Sequence, residues 1–215
     1  MDTKEFVEAP RHVTADWHLA RARNLIEYDK GRMLDNVLIY CAIDLRLCIE
    51  RFAFELLVMA YDLKLDPLTE RQINQASRDI FKLLLRDFPE LEKRLKFLNL
   101  VMEFLLPGMK TAIIDLDWLK KKRGELSNIC HLQLRPDPIT GHIDEDFKQK
   151  GFELFKEILD RFTEWLQYPS AFAPVDKMPY EVQELQKTYL AGDIDDAGVI
   201  TGLKQFQPDL QKRLE

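Results

Sequence analysis
Between residues 37 and 61 the chain reads VLIYCAIDLRLCIERFAFELLVMAY, and the placing of its charges decides the fold. At about 100° per residue, Asp44, Arg51, Glu55 and Asp62 fall in one narrow line, the expected solvent line of a helix. Almost everything else in the stretch is apolar. Such a helix is wrapped by neighbours and serves as the spine of a bundle. Five charges (Asp44, Arg46, Glu50, Arg51 and Glu55) make it far too costly as a transmembrane span, so no membrane association is expected. Arg46 and Glu50 project roughly opposite the solvent line and stand one turn apart, so they can pair. They read either as an ion pair at the rim of the core or in a dimer seam, or as a charged pair lining an internal cleft. Burying one charge alone costs several kcal/mol, so the two are expected together.

Working outward, nearly every other segment has helical spacing, and no segment sustains strand-like alternation. Thr14 can cap a first helix that ends at Gly31. The long second helix should run from about residue 33 to 65. Thr69 with Gln72 has capping-box spacing for a third, ending near Asp87. Pro89 suits the first turn of a fourth, stopped by Pro107 and Gly108. A fifth is expected over residues 111–134, and a sixth, capped by Asp144, up to Tyr168. The stretch YPSAFAPVDKMP, residues 168–179, holds three of the ten prolines and reads as a linker. Short helices over 179–191 and 195–205 follow. Long helices with short connections imply an all-α fold, an up-and-down antiparallel helical bundle over residues 1–168. Residues 169–215 form a carboxy-terminal helical extension, too short in its parts to stand alone, that packs on the bundle or on a protein partner.

The totals bound the function. A net charge of −6 over 215 residues argues against a whole-molecule polyanion binder, while a local basic site stays open. The three cysteines, Cys41, Cys48 and Cys130, have neither disulfide nor zinc spacing and read as reduced residues of a cytoplasmic protein. The opening residues MDTKEFVEAPRH carry charge where a signal peptide needs an apolar run. There is no phosphate-binding glycine loop, nucleophile elbow or HExxH. The run DIDDAG at 193–198 starts like a calcium loop, but Ala197 and Lys204 stand where oxygen ligands are required, so Asp195 reads as a helix cap. Turn chemistry explains the acids around His142, and His12 and His18 have no partner of suitable spacing. No metal and no cofactor is therefore expected.

The best candidate site lies in WLKKKRGELSNICH, residues 118–131. Leu116, Leu119, Arg123, Leu126 and Cys130 follow a 3–4–3–4 spacing, so an arginine sits within an apolar seam. Ser127 and His131 stand one turn apart on the same side of it. Gly124, mid-helix, suggests close approach by another backbone or a ligand. In a structural reading, Arg123 snorkels from the seam and His131 is a satisfied histidine near the helix end. In a functional reading, Arg123 supplies fixed positive charge to a phosphate and His131 moves protons, which suits metal-free RNA cleavage. Lys120 and Lys121, with Lys122, would then attract the phosphate backbone.

These two helices, AIDLRLCIERFAFELL at 42–57 and WLKKKRGELSNICH, resemble the HEPN superfamily, helical bundles of prokaryotic defence and toxin–antitoxin systems. The likeness covers about residues 14–168. Many members are metal-independent ribonucleases whose Arg and His, on one late helix, come together across a homodimer. That motif would fall on Arg123 and His131, with Ser127 in support, and it implies a homodimer and RNA as partners. Other members lack activity and serve as binding or dimerisation modules. Here seven residues separate Arg123 from His131, more than the family's usual gap, and Gly124 follows the arginine where active members are usually polar. The resemblance therefore implies an interaction or dimerisation module of a defence or regulatory system, with the endoribonuclease as the alternative.

Overall fold
A computed structural model describes residues 14–61, 80–108, 111–131, 143–167 and 178–214, giving only the backbone of 166–167 and 207–214. The chain is all-helical, and the described residues hold no strand. The helices are α1 Ala15–Asp29, α2 Asp35–Ala60, α3 Ile80–Asp87, α4 Leu91–Leu105, α5 Leu116–Cys130, α6 Glu145–Gln167, α7 Tyr180–Ala191 and α8 Asp196–Leu214. Two compact units result: Met1–Leu84 with Leu116–Thr163, and Leu85–Asp115 with Glu164–Glu215. This grouping places residues 85–115, read from sequence as part of the bundle, with the carboxy-terminal helices.

In the first unit the corner between α1 and α2 sets the geometry. Lys30 and Gly31 both take left-handed conformations, at φ 52° and 76°. The buried Asp29 carboxylate then accepts from the backbone N–H groups of Met33 (2.8 Å) and Leu34 (2.9 Å). These donors precede α2 and would otherwise lack partners at a helix start. The corner folds α1 back along α2, so that residue 22 lies by residue 41 and residue 18 by residue 44. The same bookkeeping makes α5 antiparallel to α2, with Arg123 by Glu50, and α6 parallel to it, with Lys148 by Asp35 and Phe162 against Phe52. Helices α1, α2, α5 and α6 thus alternate in direction. Their core holds Leu38, Leu45, Ile49, Leu119, Leu126, Phe155 and Phe162. Gly151 lets α6 approach α2 closely, since a Cβ there would stand 2.5 Å from Leu38 Cδ1.

One expectation for α2 is overturned. Asp44, placed on the solvent line by periodicity, is only 3% exposed. The reason is α1, which packs over that line and brings charge with it. Arg51 and Glu55 on the same line are half-buried, and Asp62 lies outside the described residues. The exposed line of α2 is instead Tyr40, Ile43 and Leu47, at 56%, 36% and 40%. The proposed capping box of Thr69 and Gln72 and the loop around His142 also lie outside the described residues.

In the second unit Phe97, Leu98 and Val101 of α4 pack with Val182 and Tyr189 of α7 and Val199 and Leu203 of α8. Thr111–Asp115, expected to open α5, is not helical. Asn99 Nδ2 donates to the carbonyl of Ala112 (3.1 Å) and Trp165 Nε1 to that of Ile113 (3.2 Å). Those carbonyls are committed sideways, and α5 starts only at Leu116. The caps at Asp144 and Asp195 form as read, the first accepting from Phe147 N–H and the second from Gly198 N–H.

Candidate functional site
The residues singled out on α2 and α5 meet. Arg46 Nε donates to Glu50 Oε1 at 3.1 Å, the one-turn pairing expected from their spacing. The same carboxylate oxygen lies 4.0 Å from Arg123 Nε, across the antiparallel contact of the two helices. One acid thus serves two guanidinium groups. Arg123 also extends over the Phe81 ring of α3, 5.5 Å from its centroid, which shields the ion pair from water on that side. Arg46 lies against Cys130. Burial pushes the Cys130 thiol above its ordinary value despite the arginine beside it, so it is not an activated nucleophile. Burial likewise drives Cys41 and Cys48 far up.

Ser127 and His131 do not join this group. The Ser127 hydroxyl donates back to the Arg123 carbonyl at 2.9 Å, a local bond that occupies its proton. His131 sits in a single turn after α5 and is exposed. Eight helical steps separate it from Arg123, roughly 12 Å of rise, with a rotation of about 80°. Within one chain the two side chains therefore diverge. Gly124 is exposed, and among the described residues a Cβ there would meet nothing within 4 Å, so none of them makes the close approach expected there.

The three lysines separate just as sharply. Lys122 is buried, donating to Glu125 (3.0 Å) and Glu157 (2.7 Å). Burial alone would lower its pKa, but the two carboxylates hold it above the ordinary lysine value. Glu157, which also accepts from Trp118 Nε1, is opposed by burial yet held below the ordinary carboxylate value by Lys122 and Trp118. Lys122 is therefore a structural cation. Lys121 reaches Glu125 at 3.9 Å, and only Lys120 and Lys121 stand out in water.

Sequence reasoning missed a second polar group. His18 of α1 is buried, with Nδ1 3.1 Å from Asp44 Oδ1. Arg21 approaches the other carboxylate oxygen at 3.3 Å and spreads over the Trp17 ring, whose edge meets His18. A signal was present, because His18 shares an arc of α1 with Ala15, Leu19 and Ala22. A histidine on such a buried arc requires a polar partner. Among the described residues no group of three or more His, Cys, Asp or Glu side chains could hold a metal ion, and no helix is long and apolar enough to cross a membrane. Comparison of the chain with protein-family models, curated proteins and solved structures found no match.

Proposed function
We propose that the protein is a helical interaction module whose working face is formed by α2 and α5. The observation that carries this reading is the double engagement of Glu50 by Arg46 and Arg123, beside an exposed apolar line on the same helix. Arg123 is already engaged by Glu50 and stacked on Phe81, and His131 stands two turns further along, so a single chain does not bring a phosphate anchor and a proton carrier together. The resemblance of α2 and α5 to HEPN bundles supports a place in a prokaryotic defence or regulatory system. A metal-independent endoribonuclease is the second reading. It is favoured by the surplus of positive charge where two guanidinium groups share one carboxylate, which would suit a phosphate if a second chain supplied the missing group. The test is cleavage of a mixed RNA pool in EDTA by wild type, Arg123→Ala and His131→Ala. The module reading expects no cleavage by any of the three. Cleavage by wild type that both substitutions abolish, with helicity unchanged, would replace it with the ribonuclease.

A further inference from the structure
Where the corner between α1 and α2 runs past α6, the first unit holds an open cleft of about 340 Å³, a size that suits a small molecule. The helices are fastened on either side of it. Arg23 Nη2 donates to Thr163 Oγ1 (2.9 Å) at one end, and Lys148 reaches Asp35 (2.7 Å) at the other. Between these ties the left-handed residues Lys30, Gly31 and Met33 carry the chain round the corner. Among the described residues a Cβ at Gly31 would meet nothing within 4 Å, so the corner stands off α6 instead of packing on it. Met33 keeps a conformation unusual for its side chain because its N–H is bound to the Asp29 carboxylate. The cleft is therefore preformed. Ile26, Met33 and Phe152 give the lining its apolar part, and Gln149, Glu153 and Lys156 of α6 give it polar groups.

The acid and the base on this face of α6 do not pair. Glu145–Lys148 and Glu184–Lys187 have the same order and the same three-residue spacing, and both close to ion pairs, at 2.7 and 2.6 Å. Among the described residues, by contrast, the Glu153 carboxylate accepts from Gln149 Nε2 (3.1 Å), and the Lys156 ammonium meets no acid. The buried Asp29 carboxylate also lines the cleft, with one backbone N–H on each of its oxygens. We infer that the cleft binds a free α-amino acid with an apolar side chain. The ammonium of the ligand lies on Glu153, its carboxylate on Lys156, and its side chain against Ile26, Met33 and Phe152. An α-amino acid carries both charges on adjacent atoms of one short frame, which suits an acid and a base one helical turn apart. A simple anion would face two carboxylates for one ammonium, and a simple amine would be repelled by Lys156. In a peptide the two charged termini are separated, which favours the free amino acid. The site is built from α1, the corner and α6, and does not depend on the α2–α5 face.

The experiment follows the Gly31 backbone amide and the Gln149 side-chain amide in correlation spectra of the nitrogen-labelled full chain. L-Valine, L-leucine, L-methionine and L-phenylalanine are each added to about 10 mM, which reaches dissociation constants of about 1 mM. At least one is expected to shift both signals saturably. Its N-acetyl derivative, which lacks the ammonium, and its primary amide, which lacks the carboxylate, should each bind about tenfold more weakly through loss of one charge-assisted contact. Glu153→Gln should weaken the free amino acid by about the same factor and leave the N-acetyl derivative unchanged. Lys156→Gln should weaken the free amino acid equally and leave the amide unchanged. Both residues are exposed, and unchanged circular dichroism confirms the fold. No shift from any of the four, a derivative that binds as tightly as the free amino acid, or an affinity that ignores either substitution would each overturn the inference.

Discussion

Arg123 of α5 and Glu50 of α2, separated by seventy-two residues, meet with Nε 4.0 Å from Oε1. Their side chains are 23% and 25% exposed, so the attraction is partly screened and is worth about 1 kcal/mol or less. Urea unfolding of Glu50→Ala, Arg123→Ala and the double variant should show coupling of about 0.5 kcal/mol, the double losing less than the sum of the singles. Strict additivity would mean that the two groups do not interact in solution.

How much of this was readable beforehand follows from range. The Arg46–Glu50 pair and the caps at Asp144 and Asp195 depend on residues three or four apart, and helical arithmetic is reliable at that range. The all-helical fold follows from the same period. Asp44 was misplaced because periodicity gives the line on which a residue lies, not the helix that covers it. Its cover, His18, is twenty-six residues away. The start of α5 was misread for the same kind of reason, since Asn99 and Trp165 take the carbonyls of residues 112 and 113 from distant positions. In α5 the seam of Leu116, Leu119 and Leu126 is buried as expected, but the sequence could not show that Arg123 is already engaged by Glu50.

The His18–Asp44 contact is buried on both sides, and its removal should be costly. Asp44→Ala is expected to destabilise the fold by about 3 kcal/mol, because the buried His18 loses its partner. Arg21→Ala, at a side chain 53% exposed, should cost less than about 1 kcal/mol. Denaturation midpoints measure both. Equal small losses would show that the histidine finds another partner.

Two helical glycines should respond oppositely to alanine. At Gly124 an added methyl meets nothing among the described residues, so Gly124→Ala should stabilise by about 1 kcal/mol through helix propensity. At Gly151 the methyl would press on Leu38 at 2.5 Å, and Gly151→Ala should lose about 1–3 kcal/mol from overpacking of α6 against α2. Thermal melting distinguishes the two signs directly.

The second unit should carry its own pH signature. Tyr189 donates to Asp196 Oδ1 at 2.9 Å, and Lys96 reaches Asp196 Oδ2 at 2.7 Å. Burial and the Asp196 carboxylate raise the Tyr189 phenol to about 12. Its contribution is therefore complete below the ordinary tyrosine value near 10.0 and is lost as pH rises through about 12. The Lys96 bond, against opposing burial and with help from Tyr189, holds Asp196 below its ordinary 3.8. That contribution is present above the ordinary value and is lost as pH falls through the depressed one. Tyr189→Phe should flatten the alkaline limb of the melting profile and Asp196→Asn the acid limb. A Tyr189→Phe profile that keeps the full alkaline slope would show that the phenol does not titrate as the geometry requires.

Hydrogen exchange on the full chain at about 1 µM and about 100 µM tests directly whether α2 and α5 form an interaction face. Protection should deepen with concentration over α2 and the adjoining turns of α5, and should stay constant over α7 and α8. Exchange that is independent of concentration everywhere, or protection that grows on α7 and α8 instead, would contradict the assignment of the working face to α2 and α5.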